Sequence, residues 1–203
     1  MCGIVGYIGN KDAVPILLKG LQRLEYRGYD SAGISVMGTG GIQIVKQAGK
    51  VSELSKAVDD SPISGTIGIA HTRWATHGEP NNINAHPHTD ASETFSLVHN
   101  GIIENHTSLR TYLHEKGVSF KTETDTEVLV QLIGYLYQKE EISFEQAVRS
   151  ALQEVVGAYG IAVTCKDEQE TIIVARLGSP LVLGVGDDEY FVASDASPIV
   201  EYT

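Results

Sequence analysis

The chain has little cysteine, a shortage of basic charge and no long apolar run, and each shortage removes a class of protein. Of its 203 residues only Cys2 and Cys165 are cysteines. Two are too few to staple a disulfide scaffold, and a reducing compartment fits them. Lys and Arg total 15 against 26 Asp and Glu, a formal net charge of −11. Nucleic acids and anionic membranes both require clustered Lys and Arg, so neither is expected as a partner. No apolar stretch approaches the roughly 20 residues of a membrane-spanning helix. The apolar N-terminus has neither a positively charged start nor a small-residue cleavage site, so it reads as the mature structure of a cytoplasmic protein. Internal repeats and low-complexity segments are absent too.

Two common catalytic arrangements are also missing. There is no G-x-S-x-G turn to raise a serine nucleophile. His86-Pro87-His88 with Asp90 suggests a metal centre, but no Cys or Glu stands at ligand spacing and the proline stiffens the pair. Neither a metal nor another cofactor is expected.

What is present describes one folded domain with a real core. Val14, Leu17, Leu18, Leu21 and Leu24 recur at helical spacing behind Asp12, a capping residue. Further helices are expected around Val51–Val58 and over Thr107–Lys116, Asp125–Gln138 and Ser143–Val155, with Thr124 or Asp125 capping the third. Strands are expected at Cys2–Ile8, Ala32–Met37, Ile42–Gln47, Thr66–His71 and Phe95–Val98, the last ended by His99-Asn100-Gly101. Four more follow at Gly160–Cys165, Thr171–Leu177, Leu181–Val185 and Tyr190–Ala193. Strands come in consecutive runs with helices grouped between them. That order predicts antiparallel sheets covered by helices rather than alternating βαβ units. Trp74–Ser92 is polar and reads as a long loop, a length that in compact domains is usually functional or disordered.

Cys2 directly follows the initiator methionine. Removal of Met1 leaves a leading residue that carries both a thiol and a free α-amine. The amine has a pKa of about 8 and the thiol about 8.5, so a nucleophile and a base suited to neutral pH share one residue. Position alone is a weak sign, because a cysteine opening a strand is more often inert core; Cys165, in an apolar strand, is read that way.

Five blocks change the weighting. Cys2-Gly3-Ile4-Val5-Gly6, Glu25-Tyr26-Arg27-Gly28-Tyr29-Asp30-Ser31-Ala32-Gly33, His71-Thr72-Arg73-Trp74-Ala75-Thr76-His77-Gly78, His99-Asn100-Gly101-Ile102-Ile103-Glu104-Asn105 and Glu123-Thr124-Asp125-Thr126-Glu127 occur in this order. Together they resemble the glutaminase domain of the glutamine–fructose-6-phosphate aminotransferase family, within the N-terminal-nucleophile class of glutamine amidotransferases. The resemblance spans essentially the whole chain, 1–203, and implies a four-layer α-β-β-α sandwich of two antiparallel sheets. It implies hydrolysis of the glutamine side-chain amide, with Cys2 as nucleophile and the Asn100 side chain and Gly101 backbone N–H as oxyanion donors. Arg73 would hold the substrate α-carboxylate, helped by Thr76 and His77, and Asp125 its α-ammonium. Arg27 and Gly28 would lie beside the nucleophile, and Trp74 would gate the route of the ammonia under a mobile lid. The implied partners are L-glutamine and a C-terminal sugar-phosphate isomerase part of a longer polypeptide, with a homodimer possible for the full-length form. A different ammonia acceptor, or a silent glutamine-binding module, are the rival readings. Taken one at a time the residues say less: Asn-Gly usually marks a hairpin turn, an arginine a surface ion pair, and an aspartate at a helix start a cap.

Overall fold

The structure is a computed structural model, and it describes residues 2–74 and 79–203. In chain order the elements are β1 (Gly3–Ile8), α1 (Ala13–Leu24), β2 (Ser31–Gly38), β3 (Gly41–Ala48), α2 (Val51–Asp60), β4 (Ile67–Arg73), β5 (His88–Thr89) and β6 (Phe95–Ile103). Then follow α3 (His106–Glu115), α4 (Asp125–Glu140), α5 (Phe144–Gln153), β7 (Gly157–Cys165), β8 (Glu168–Leu177), β9 (Val182–Gly186) and β10 (Glu189–Ala193). One sheet has the order β3-β2-β4-β1-β10-β9 and the other β5-β6-β7-β8, and all their named strand pairs are antiparallel.

Period-two burial builds the layers. Along β1 the neighbours Ile4 and Val5 point to opposite faces. Ile4 joins Ile69, Val98, Ala162 and Val192 in a cluster between the two sheets. Val5 joins Leu17, Leu21, Ile34, Leu54 and Phe191 in the cluster between the first sheet and helices α1 and α2. On the far side Phe95, Leu97, Val128, Leu132, Phe144 and Val163 form the cluster between the second sheet and helices α3 to α5. The result is helix, sheet, sheet, helix, as the sequence blocks imply. No helix among the described residues is long and apolar enough to cross a membrane.

Local signals explain the helix starts. The Asp12 side chain accepts from the Val14 N–H, Thr124 from Glu127, and Ser143 from Gln146 in a reciprocal capping box. Helix α4 departs from the usual one-sided pattern: Asp125 through Gly134 are all buried. It lies between the second sheet, α3, α5 and the segment before β5, so it has no broad solvent face over that stretch.

Two expectations need correction. The strand expected to end at Val98 continues to Ile103, because Asn100 pairs with Gly160 and Gly101 with Tyr159 on β7. Asn100-Gly101 is therefore strand and not turn. The expected loop Trp74–Ser92 is interrupted by the short strand β5 and is buried in part. Ala85, His86, His88 and Asp90 are buried, and His88–Thr89 pair with β6. The buried His86 ring finds a partner on α4 in the Thr126 hydroxyl, and the Gln131 side chain of α4 accepts from the Ala91 N–H just beyond β5.

Candidate active site

The strand register assembles the site. Gly3 on β1 pairs with Thr72 on β4, and Arg73 pairs with Ser31 on β2, so Cys2 arrives beside Arg73 and Trp74 at one end of the first sheet. The Cys2 sulfur accepts a hydrogen bond from the Trp74 backbone N–H at 3.2 Å. From the second sheet, the Asn100 Nδ2 donates to the Cys2 carbonyl at 3.2 Å. Cys2, Arg73, Trp74, Gly101 and Asp125 line one pocket, together with His86, His99, Thr124 and Thr126.

Each of these side chains is held by its element. Arg73 closes β4, is 3% exposed, and donates to the Glu79 carbonyl at 3.3 Å, with the Asp30 carboxylate 3.9 Å away. Asp125 is the first residue of α4, where an acidic group meets the positive end of the helix dipole. Its Oδ2 accepts from the Ile103 backbone N–H at 2.9 Å, which ties the helix start to the end of β6. Gly101 has φ of 125°, and a Cβ there would collide with the Ala158 carbonyl oxygen of β7, so the position is closed to a side chain.

Burial dominates the electrostatics. It pushes the Cys2 thiol above its ordinary value, against the Trp74 N–H and the Arg73 charge, which favour the thiolate; Asp30 adds to the rise. A thiol so raised is mostly protonated at neutral pH, so attack needs a base to take its proton. Four buried histidines line or back the pocket. Burial lowers His71 to about 3 and holds His86 and His88 well below their usual value. His86 and His99 both contact the Thr126 hydroxyl, at 2.8 and 3.0 Å, and His88 contacts that of Thr124 at 3.2 Å.

The structure thus brings together Cys2, Arg73, Trp74, Asn100, Gly101 and Asp125. Arg27 and Gly28 stand outside the pocket wall. Arg27 donates to the Ser194 carbonyl at 3.1 Å, and the Ser194 hydroxyl accepts from the Ile4 N–H at 3.0 Å, so this contact braces the start of β1. Gly28 lies under the Trp74 indole, which is 55% exposed; a Cβ on Gly28 would come within 2.5 Å of the ring. Thr76 and His77, with the centre of the expected lid, lie outside the described residues, as does Met1. Residue patterns did not single out His71, His86, His99, Thr124 or Thr126 as part of the site. His71, His99, Thr124 and Thr126 belong to the blocks that carry the resemblance, whereas His86 stood out only in a rejected metal-site pattern and Thr124 also as a helix cap.

Similarity to known proteins is extensive. A family model described as a glutamine amidotransferase domain matches residues 71–201. The chain is 59% identical to a glutamine–fructose-6-phosphate aminotransferase (isomerizing) of Bacteroides thetaiotaomicron, over 100% of this chain and 33% of that protein. It is 53% identical to the protein of the same name from Chlorobaculum tepidum, over 100% of this chain and 34% of that one. The chain therefore spans about a third of the length of the curated relatives it matches. Among solved structures, a glutamine phosphoribosylpyrophosphate amidotransferase from B. subtilis, complexed with ADP and GMP, superposes with a TM-score of 0.84 at 30% identity. That match covers 98% of this chain and 43% of that one. A glutamine aminotransferase class-II domain protein from Silicibacter pomeroyi shares the fold at a TM-score of 0.64 and 15% identity, over 95% of this chain and 88% of that one.

Proposed function

The chain belongs to the glutamine amidotransferase family, and from that premise we propose that it hydrolyses the side-chain amide of L-glutamine through a thioester on Cys2. One observation carries the reading: a single pocket holds a thiol, a buried guanidinium and a buried carboxylate, from Cys2, Arg73 and Asp125. A free amino acid needs a cation for its carboxylate and an anion for its ammonium. Arg supplies the forked donor that suits a carboxylate, and Asp125 the anion.

In this mechanism the Cys2 sulfur attacks the amide carbon while the α-amine exposed by loss of Met1 takes the thiol proton. Negative charge gathers on the carbonyl oxygen, where the Asn100 amide and the Gly101 N–H stabilise it. Preorganised donors of this kind contribute a few kcal/mol, roughly 10²- to 10³-fold in rate for each. The C–N bond then breaks, and the amine returns the proton to the departing ammonia. Water adds to the γ-glutamyl thioester, the C–S bond breaks, and glutamate leaves with the thiol restored. The similarity to fructose-6-phosphate aminotransferases supports a further step in which a sugar-phosphate isomerase part of a longer polypeptide uses the ammonia to make glucosamine 6-phosphate. The 203 residues are accordingly read as one glutaminase domain.

Glutamate and ammonia release from glutamine is the direct test. The wild type is expected to turn over, with Met1 absent by intact mass, and Cys2→Ala to fall to background. An electrophilic glutamine analogue should label one residue stoichiometrically, identified by peptide mass as Cys2. Equal background in wild type and Cys2→Ala would instead favour a silent glutamine-binding module, and turnover by a protein still carrying Met1 would overturn the proton route.

A further inference from the structure

His71 sits in the middle of β4, fully buried, opposite Ile4 of β1. Its Nε2 lies 3.0 Å from the His99 backbone oxygen and 2.9 Å from the Asn100 Oδ1. A carbonyl oxygen carries no hydrogen, so the contact with His99 requires the hydrogen to be on Nε2. An Nε2–H shared with the neighbouring amide requires an acceptor there. The Asn100 oxygen must therefore face His71, and its NH₂ must face away, toward Cys2. A flipped amide would set two donors against each other in a buried place.

We propose that His71 is a positioning residue that fixes the Asn100 amide so that its NH₂ is presented at the nucleophile. The inference rests on the reading of Asn100 as an oxyanion donor. One Nδ2 hydrogen is committed to the Cys2 carbonyl, which leaves the other for the developing charge. The imidazole is itself held. It stacks on His86 with ring centroids 4.2 Å apart and 26° between planes, and the His86 Nε2 meets the Thr126 hydroxyl beside Asp125. His71 Nδ1 has no hydrogen-bond partner among the described residues, as expected of the tautomer with its hydrogen on Nε2. Burial keeps the ring neutral at working pH, so the geometry does not switch as the medium changes. One chain of contacts thus runs from the anion that would bind the substrate ammonium to the donor that would bind its oxyanion.

The test compares kcat and KM for glutamine hydrolysis by the purified protein in His71→Leu, His71→Gln, Asn100→Ala and the double variant His71→Leu/Asn100→Ala. His71→Leu should lower kcat by about 10- to 100-fold, less than outright loss of an oxyanion donor, with KM within about threefold. An aldehyde analogue of glutamine, which the thiol converts to a hemithioacetal, should lose affinity by a similar factor. His71→Gln keeps an N–H in reach and should recover most of the rate. In the Asn100→Ala background, His71→Leu should cost nothing further, because there is no amide left to orient. Where Leu is not accommodated, His71→Met against His71→Gln makes the same comparison. Full activity in His71→Leu, a loss confined to KM, or an equal loss in the Asn100→Ala background overturns the inference while leaving the glutaminase reading intact. A wild type that does not consume glutamine sinks both.

Discussion

At the scale of single residues, the site depends on places where only one residue type fits. Gly28 is the clearest. Its φ of 92° and ψ of 153° lie in a region essentially reserved for glycine, and the Trp74 ring occupies the space of a side chain. Gly28→Ala is expected to cost about 1–3 kcal/mol of stability and to push the indole away from the Cys2 side of the pocket. Trp74 is the sole tryptophan, so its emission reports the change without interference. A shift in the fluorescence maximum together with a lower kcat/KM for glutamine is the expected result; an unchanged spectrum would show that the glycine does not set the ring position.

At the scale of elements, two helix caps separate stability from function. Ser143 closes a capping box at α5, away from the pocket, and Thr124 caps α4 immediately before Asp125. Each should contribute about 1 kcal/mol through its side-chain bond to a backbone N–H. Ser143→Ala should lower the denaturation midpoint and leave glutamine kinetics alone. Thr124→Ala should lower it comparably and also raise KM for glutamine, because the first turn of α4 carries the proposed ammonium anchor. Thr124 additionally meets the His88 ring, so its loss loosens β5. Equal KM values for the two variants would argue that Asp125 is positioned by the Ile103 N–H alone.

For the whole molecule, the polar layer where β4, β5, α4 and the segment preceding β5 meet is built on neutral histidines. His71, His86 and His88 are all lowered by burial, so the folded protein resists protons that the unfolded chain accepts near pH 6.5. The unfolded state then binds more protons, and stability falls as pH drops below about 6.5, continuing toward about 3 for His71. Each such histidine adds its own proton-linked loss of stability as the pH falls. Depressed carboxylates act lower: Glu201, held at about 2 mainly by Lys19, weakens the fold only below its ordinary range. Thermal melts at pH 7.5, 6.0 and 5.0 should therefore show a falling midpoint. A flat midpoint across that range would mean the histidines find partners for their charged form.

Much of this was legible along the chain. The apolar period of α1, the caps at Asp12, Thr124 and Ser143, the alternation of the later strands and the acidic balance are local properties of neighbouring residues, and they carry through to the folded state. The five sequence blocks implied the nucleophile, its proposed anchors and the layered fold before any contact was known. Three matters were decided only by tertiary structure. Asn100-Gly101, a turn by local preference, became strand because β7 supplies its pairing partners. His86, in the polar stretch before β5, became interior because α4 offers it the Thr126 hydroxyl. The places of Arg27 and Gly28 were set by contacts with Ser194 and Trp74. In each case the deciding interaction joins residues far apart in the chain, and short-range pattern carries no information about such pairs.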